Sequence, residues 1–176
     1  MSATPQAIGF GSSDSGIKIY IANRPPIDHY PEMDGLRGLA AGELSHIVKN
    51  TSNHWRKIFN VYAKFLFDWY SQQAHDDLPL SWQEYRDTRL FQSSSHEALL
   101  FNAPQINDDN HSFHIIAGKT YASTLLLPEL TWLDAHFAVN KMSRIIVSPY
   151  PDYRQLTNER ITRLISVMKG FQRRLG

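Results

Sequence analysis

Ile17-Lys18-Ile19-Tyr20-Ile21-Ala22 runs directly into Asn23-Arg24-Pro25-Pro26, and the reading of that junction decides the fold. β-Branched and aromatic residues fill the first part, which predicts a strand. The asparagine and two prolines that follow end it in a loop. Later junctions repeat the pattern. Phe113 to Ala117 meets Gly118-Lys119-Thr120, and Arg144 to Val147 meets Ser148-Pro149-Tyr150-Pro151-Asp152. Leu99-Leu100-Phe101, stopped by Asn102-Ala103-Pro104, is a shorter example. If these runs lie side by side with one polarity, their loops gather at the carboxyl edge of a single sheet. Open α/β proteins place their ligand crevice at that edge.

Helical patterns separate the runs. Trp55, Ile58, Phe59, Tyr62, Phe65, Leu66 and Trp69 recur at three- and four-residue steps, one apolar stripe, with Thr51, Ser52 and Asn53 as amino-terminal caps. Ser81-Trp82-Gln83-Glu84 is a capping box that opens a second helix to Arg89. Gly118 turns the third strand into a helix that Pro128 ends after Leu127. Ile161, Leu164, Ile165, Met168 and Phe171 line a final helix, capped by Thr157 or Asn158, with Lys169, Arg173 and Arg174 toward its carboxyl end.

Residues 1–16, rich in Gly and Ser, read as a loose lead-in, and 25–42 as a long loop with at most one helical turn. Residues 129–142 fit neither period, and Asn107-Asp108-Asp109-Asn110 reads as a polar loop. Strands apolar on both faces that alternate with helices predict an α/β fold. The expectation is one three-layer α/β/α domain over residues 17–176, with a central, mainly parallel sheet of about four strands.

A chain of 176 residues, 42% hydrophobic, has the size and apolar content for one domain with a substantial core. The sequence has no cysteine, which excludes disulfides and thiolate metal sites. No apolar run approaches the roughly 18–20 residues of a membrane span. Met1-Ser2-Ala3-Thr4-Pro5 lacks the charge and apolar core of a signal peptide, so the expected location is the cytoplasm, without a membrane partner. With a net charge of +1, a nucleic-acid partner must be held by a local basic patch. Lys141, Arg144, Arg154, Arg160, Arg163, Lys169, Arg173 and Arg174 concentrate in the last third. They also read as a solvated helix face.

Individual motifs bear on chemistry chiefly by exclusion. Gly118-Lys119-Thr120 matches the end of a phosphate-binding P-loop, but Phe113 stands where its first glycine belongs. Gly9-Phe10-Gly11 precedes its strand, the reverse of a dinucleotide fingerprint. His111-x-x-His114 shares no helical face. No cofactor and no metal are expected. Asn23 and Asn102 stand at equivalent strand ends, and each amide can read a polar edge, hold a water, or cap its own turn. Tyr150 and Tyr153 sit in the proline-rich loop at the same edge, where they can stack on a ligand or pack the loop.

With these loops in place, the chain resembles the uracil-DNA glycosylase superfamily, above all its mismatch-specific uracil/thymine branch. Ile21-Ala22-Asn23-Arg24-Pro25 resembles the first motif, whose asparagine positions the attacking water. Gly38-Leu39-Ala40-Ala41-Gly42 and Asn53-His54-Trp55 are similar to the loop and helix start after it. Leu99-Leu100-Phe101-Asn102-Ala103 resembles the strand whose terminal asparagine reads uracil. Ile116-Ala117-Gly118-Lys119-Thr120-Tyr121 resembles the next strand-to-helix turn, and Ser148-Pro149-Tyr150-Pro151 the second catalytic motif.

The resemblance implies hydrolysis of the base–deoxyribose bond on a flipped base. It implies Asn23 and Ser148 as catalytic residues, and Arg24, Asn102, Lys119, Tyr150, Tyr153 and Arg154 in contact with substrate. Three departures limit that chemistry. Arg24-Pro25-Pro26 replaces the family's proline and glycine, Ser148 its histidine or asparagine, and Tyr150 a small residue. Losing one donor to a developing anion typically costs about 100–1,000-fold in rate. The sequence therefore predicts a weak or divergent DNA glycosylase. The alternative is a catalytically silent relative that binds nucleic acid or a nucleotide in the same crevice. A small-molecule enzyme on a similar sheet is a third reading, and no motif favours it.

Overall fold

The computed structural model describes residues 6–75, 77–106 and 111–172. The first apolar run forms β2 (Ile17–Tyr20) at the middle of the sheet, between β4 (Glu97–Leu100) and β5 (Phe113–Ala117). Both pairings are parallel, and β5 pairs in parallel with β8 (Ile145–Ser148). All five residues of β5 are buried, as a strand covered on both faces requires.

The expected sheet of about four mainly parallel strands is not what forms. Among the described residues the sheet has eight strands and is mixed. Beyond β4 lie β1 (Gly9–Gly11) and β3 (Leu36–Arg37). Beyond β8 lie β7 (Ala138–Asn140) and β6 (Thr131–Trp132). The pairings β1–β4, β7–β8 and β6–β7 are antiparallel. These added strands are two or three residues long, too short for alternation to register in sequence. The supposed lead-in thus contributes a strand, and residues 129–142 contain a pair of them.

The two faces of the sheet are covered unequally. One face is covered by α1 (Glu43–Asn50), α2 (Asn53–Gln72) and α5 (Asn158–Gln172), which share a core with Ile19, Ile115 and Ile146. On the other face, Tyr20, Ile116, Ile145 and Val147 pack against α4 (Lys119–Ala122) and the loop side chains Leu125, Leu127 and Leu130. The helix predicted to reach Leu127 is thus a single turn. A short helix, α3 (Trp82–Thr88), packs beside α2, and Ser81 Oγ accepts from Glu84 N at 3.1 Å as the capping box requires. Residues 107–110, Arg173 and Arg174 lie outside the described residues. No described helix is long and apolar enough to cross a membrane.

Gly9 and Gly11 explain how β1 fits. Their φ angles are +153° and +130°, and a Cβ added at either would meet backbone oxygen of β4, 2.0 Å from Leu99 O and 2.4 Å from Glu97 O. The Gly-x-Gly pair therefore lets two backbones approach. Gly9→Ala and Gly11→Ala are each expected to lower the unfolding free energy by about 1–3 kcal/mol, read from denaturant midpoints at unchanged slope. Full retention of stability in both would mean that β1 is not held where the structure has it.

Two carboxylates, one fully buried and one partly buried, hold elements together. Glu97, fully buried at the start of β4, accepts from Tyr70 Oη at 2.7 Å and Tyr85 Oη at 2.6 Å, and at 3.2–3.4 Å from the amides of His96 and Phe91. Burial pushes its carboxyl pKa up against these donors. Glu43 shows the opposite balance. Burial raises it, but Arg37 at 2.6 and 2.8 Å, the Ala40 amide and the Tyr30 hydroxyl together bring it down to about 2.

Candidate functional site

The parallel register decides which residues can meet. Ala117 pairs with Ser148, and Gly118 N donates to Ser148 O at 2.8 Å. The chain after β2 therefore emerges beside the turns that leave β5 and β8. Gly118 has a φ of +95°, a left-handed conformation suited to glycine, and this lets β5 swing directly into α4. A cavity of about 790 Å³ opens between these strand ends, with Ala22, Gly118, Ser148 and Tyr150 in its wall. Its volume falls within the range of small-molecule sites.

Behind Tyr150, which lines the cavity, three side chains from distant parts of the sequence meet. Tyr150 Oη donates to Asn23 Oδ1 at 2.8 Å, Asn23 Nδ2 lies 3.0 Å from His54 Nε2, and His54 Nε2 lies 2.7 Å from Tyr150 Oη. The His54 and Tyr150 rings stack at 5.4 Å between centroids and 22° between planes. Burial, reinforced by the field of Asp152, pushes the Tyr150 phenol up to about 12, with the Asn23 bond as a partial offset. The hydroxyl therefore keeps its proton at neutral pH. A phenol has one proton and the imidazole nitrogen one site, so only two of these three contacts carry a proton at once. The third is a close approach without a shared proton.

The lining also carries two cations. Lys119 opens α4, and Arg160 reaches in from the first turn of α5. Arg160 Nη1 donates to Gln155 O at 2.7 Å and Nη2 to His136 Nε2 at 3.0 Å, which fixes the guanidinium at the cavity. Thr120, Tyr121 and Thr124 line the cavity as well.

Of the residues singled out from sequence, Ser148, Lys119 and Tyr150 line this cavity, and Asn23 joins them through Tyr150. Ser148 is fully buried, and its Oγ donates to Pro149 O at 3.1 Å. The others lie elsewhere. Arg24 Nη1 donates to the carbonyls of Pro31 at 3.0 Å and Met33 at 3.1 Å, with its guanidinium over the Phe101 ring at 5.7 Å, so it clamps a loop. Asn102 accepts from Ile8 N at 3.0 Å and donates to Gln6 O at 3.2 Å, which ties down the chain ahead of β1. Tyr153 is on the α2 side of its loop, its hydroxyl accepting from Asn60 Nδ2 at 2.8 Å. Arg154 is exposed in a turn in which its amide donates to Asp152 Oδ1 at 2.7 Å.

Sequence reasoning missed His54, His136 and Arg160 as site residues. His54 lay in a segment already noted as a helix start, one turn from a strand-end loop in space but 31 residues from Asn23. His136 sits in the stretch whose period was illegible. Arg160 was one cation among eight.

No curated protein and no solved structure matches the chain. A family model does match, over residues 8–169, which takes in every strand of the sheet and nearly all of α5. The chain therefore belongs to the family of unknown function DUF6942.

Proposed function

We propose that the crevice at the carboxyl edge of β2, β5 and β8 binds a nucleotide unit, free or within a nucleic acid. One observation carries this reading. A cavity of about 790 Å³ is lined by Tyr150, which is hydrogen-bonded to Asn23 and stacked on His54, and by the cations Lys119 and Arg160. A planar base suits the ring, and a phosphate suits the cations. The Tyr150 hydroxyl, and the Asn23 amide it holds, have donor and acceptor capacity to offer a base edge. A cytoplasmic setting belongs to the same reading and accords with a sequence that has no cysteine.

Calorimetric titration with thymidine, uridine, adenosine and guanosine monophosphates tests it. Saturable binding of at least one is expected, weakened when the phosphate is removed. Absence of binding to all four at millimolar concentration would refute the proposal.

Base–sugar hydrolysis, as in the uracil-DNA glycosylases, is the second reading. Its support is Asn23 at the end of β2 beside His54, with Ser148 in the wall of the same crevice. The geometry also sets its obstacle, because the Tyr150 hydroxyl occupies the asparagine oxygen that would hold a water. Incubation with oligonucleotides carrying uracil, hypoxanthine or ethenocytosine gives alkali-labile sites under this reading, and Asn23→Ala abolishes them. Binding without such sites leaves the first reading alone.

A further inference from the structure

We propose that the outer face of α2 is a track for single-stranded nucleic acid leading out of the crevice, an inference that rests on the nucleotide reading above. The track starts at the stacked His54 and Tyr150 rings. Lys57 and Lys64 follow on the same side of α2. Their ammonium groups lie 6.0 and 5.5 Å from the centroid of the Tyr153 ring, and Lys64 also lies 5.1 Å from that of Trp82. Arg86 covers the same Trp82 ring at 5.5 Å. Rings and cations thus alternate along the helix from His54 to Lys64, about 15 Å at 1.5 Å per residue.

Surface cation–π pairs often do no more than solvate a ring. Three features distinguish this set. First, its parts are fixed to one another: Asn60 Nδ2 donates to Tyr153 Oη at 2.8 Å, while Asn60 Oδ1 accepts from Arg86 Nη1 at 3.0 Å. Second, its central lysines make no close ion pair. Arg86 pairs with Asp87 at 2.8 Å, and Asp152 lies in the field of Lys57, but no carboxylate pairs with Lys57 or Lys64 among the described residues. Third, it is continuous with the crevice, because one loop presents Tyr150 inward and Tyr153, 45% exposed, outward. A chain whose net charge is only +1 holds a polyanion through such a local patch. Exposed rings stack on unpaired bases, whereas a duplex presents phosphates and keeps its bases stacked inside, so the fit is to a single strand.

Fluorescence anisotropy with the intact chain compares three probes: an oligothymidylate of about eight residues, a duplex of equal length, and thymidine monophosphate. The single strand is expected to bind at least about 10-fold tighter than either of the others. Its log K should fall with log salt by about 0.7 per phosphate held. Lys57→Ala combined with Lys64→Ala should lower that slope by about 1.4 and leave monophosphate binding unchanged. Tyr153→Ala should weaken the single strand by about 5-fold or more. Circular dichroism identifies any variant that fails to fold, and Lys57→Gln with Lys64→Gln repeats the test with side-chain length retained. A single strand that binds no tighter than the monophosphate or the duplex, or that ignores both lysine pairs, overturns the track. If the monophosphate does not bind while lysine-dependent single-strand binding persists, the crevice reading falls and the track stands.

Discussion

Glu97→Ala is expected to lower the unfolding free energy by about 4 kcal/mol, a large part of the 5–15 kcal/mol typical of a domain. The carboxylate is fully buried and receives the hydroxyls of Tyr70 and Tyr85 and two backbone amides. Truncation leaves those donors buried without an acceptor, at about 1–3 kcal/mol for each unsatisfied group, and opens a void beneath them. Glu97→Gln should cost less, because its oxygen still accepts and the tyrosine hydroxyls can turn to accept from its amide. Equilibrium denaturation at neutral pH compares the three proteins. A loss below about 1 kcal/mol in the alanine variant would mean that the donors find water or other partners.

The same residue gives the stability a pH slope of definite sign. Burial raises the folded-state pKa of Glu97 above its ordinary value of 4.5. Above pH 4.5 the unfolded chain therefore releases its proton first, the folded chain binds more protons, and stability falls as pH rises through the window up to the raised folded value. Glu43 works in reverse. Its folded pKa is about 2, so its contribution is complete above 4.5 and fades as pH falls toward 2. Glu97→Gln should abolish the first slope and leave the second. A variant whose alkaline-side slope matches that of the wild type would exclude Glu97 as its source.

What sequence reasoning recovered and what it missed follow from element length. Ile17–Tyr20 and Phe113–Ala117 are long and apolar enough to read as buried strands, and α2 carries a stripe of five turns. The edges failed because two-residue strands such as Leu36–Arg37 have no period, and because Gly9 and Gly11 lack the side chains from which a strand is read. α1 went unseen because only Ile47 of its residues is fully buried. At the site, residues next to strand ends were legible, since chain direction alone puts Asn23, Lys119 and Ser148 at one edge. Arg24 and Asn102 show the limit of that rule. Both follow a strand directly, yet main-chain partners turn them into structural ties. His136 and Arg160 meet across 24 residues through a loop and a helix, a contact that no local pattern encodes.

If a nucleotide occupies the crevice, the Tyr150 ring and the two cations should fail separately. Lys119→Ala combined with Arg160→Ala is expected to weaken binding of a nucleoside monophosphate by about 100-fold, because charge-assisted hydrogen bonds contribute about 1.5–3 kcal/mol each and Lys119 is exposed enough to sit at or below the lower figure. The corresponding nucleoside has no phosphate to lose, so its affinity should change by less than about 3-fold. Tyr150→Ala removes the stacking ring and should weaken nucleoside and nucleotide alike, by about 5- to 100-fold. Arg160 also holds Gln155 and His136, so Arg160→Lys serves as a control that keeps the charge while giving up the fixed fork. Titrations of both ligands against all four proteins decide the matter. If the double variant weakens nucleoside and nucleotide equally, the cations act by shaping the cavity rather than by meeting a phosphate. If Tyr150→Ala spares both ligands, the base lies elsewhere, and the hydrogen-bonded cluster at Asn23 and His54 belongs to the protein's own packing.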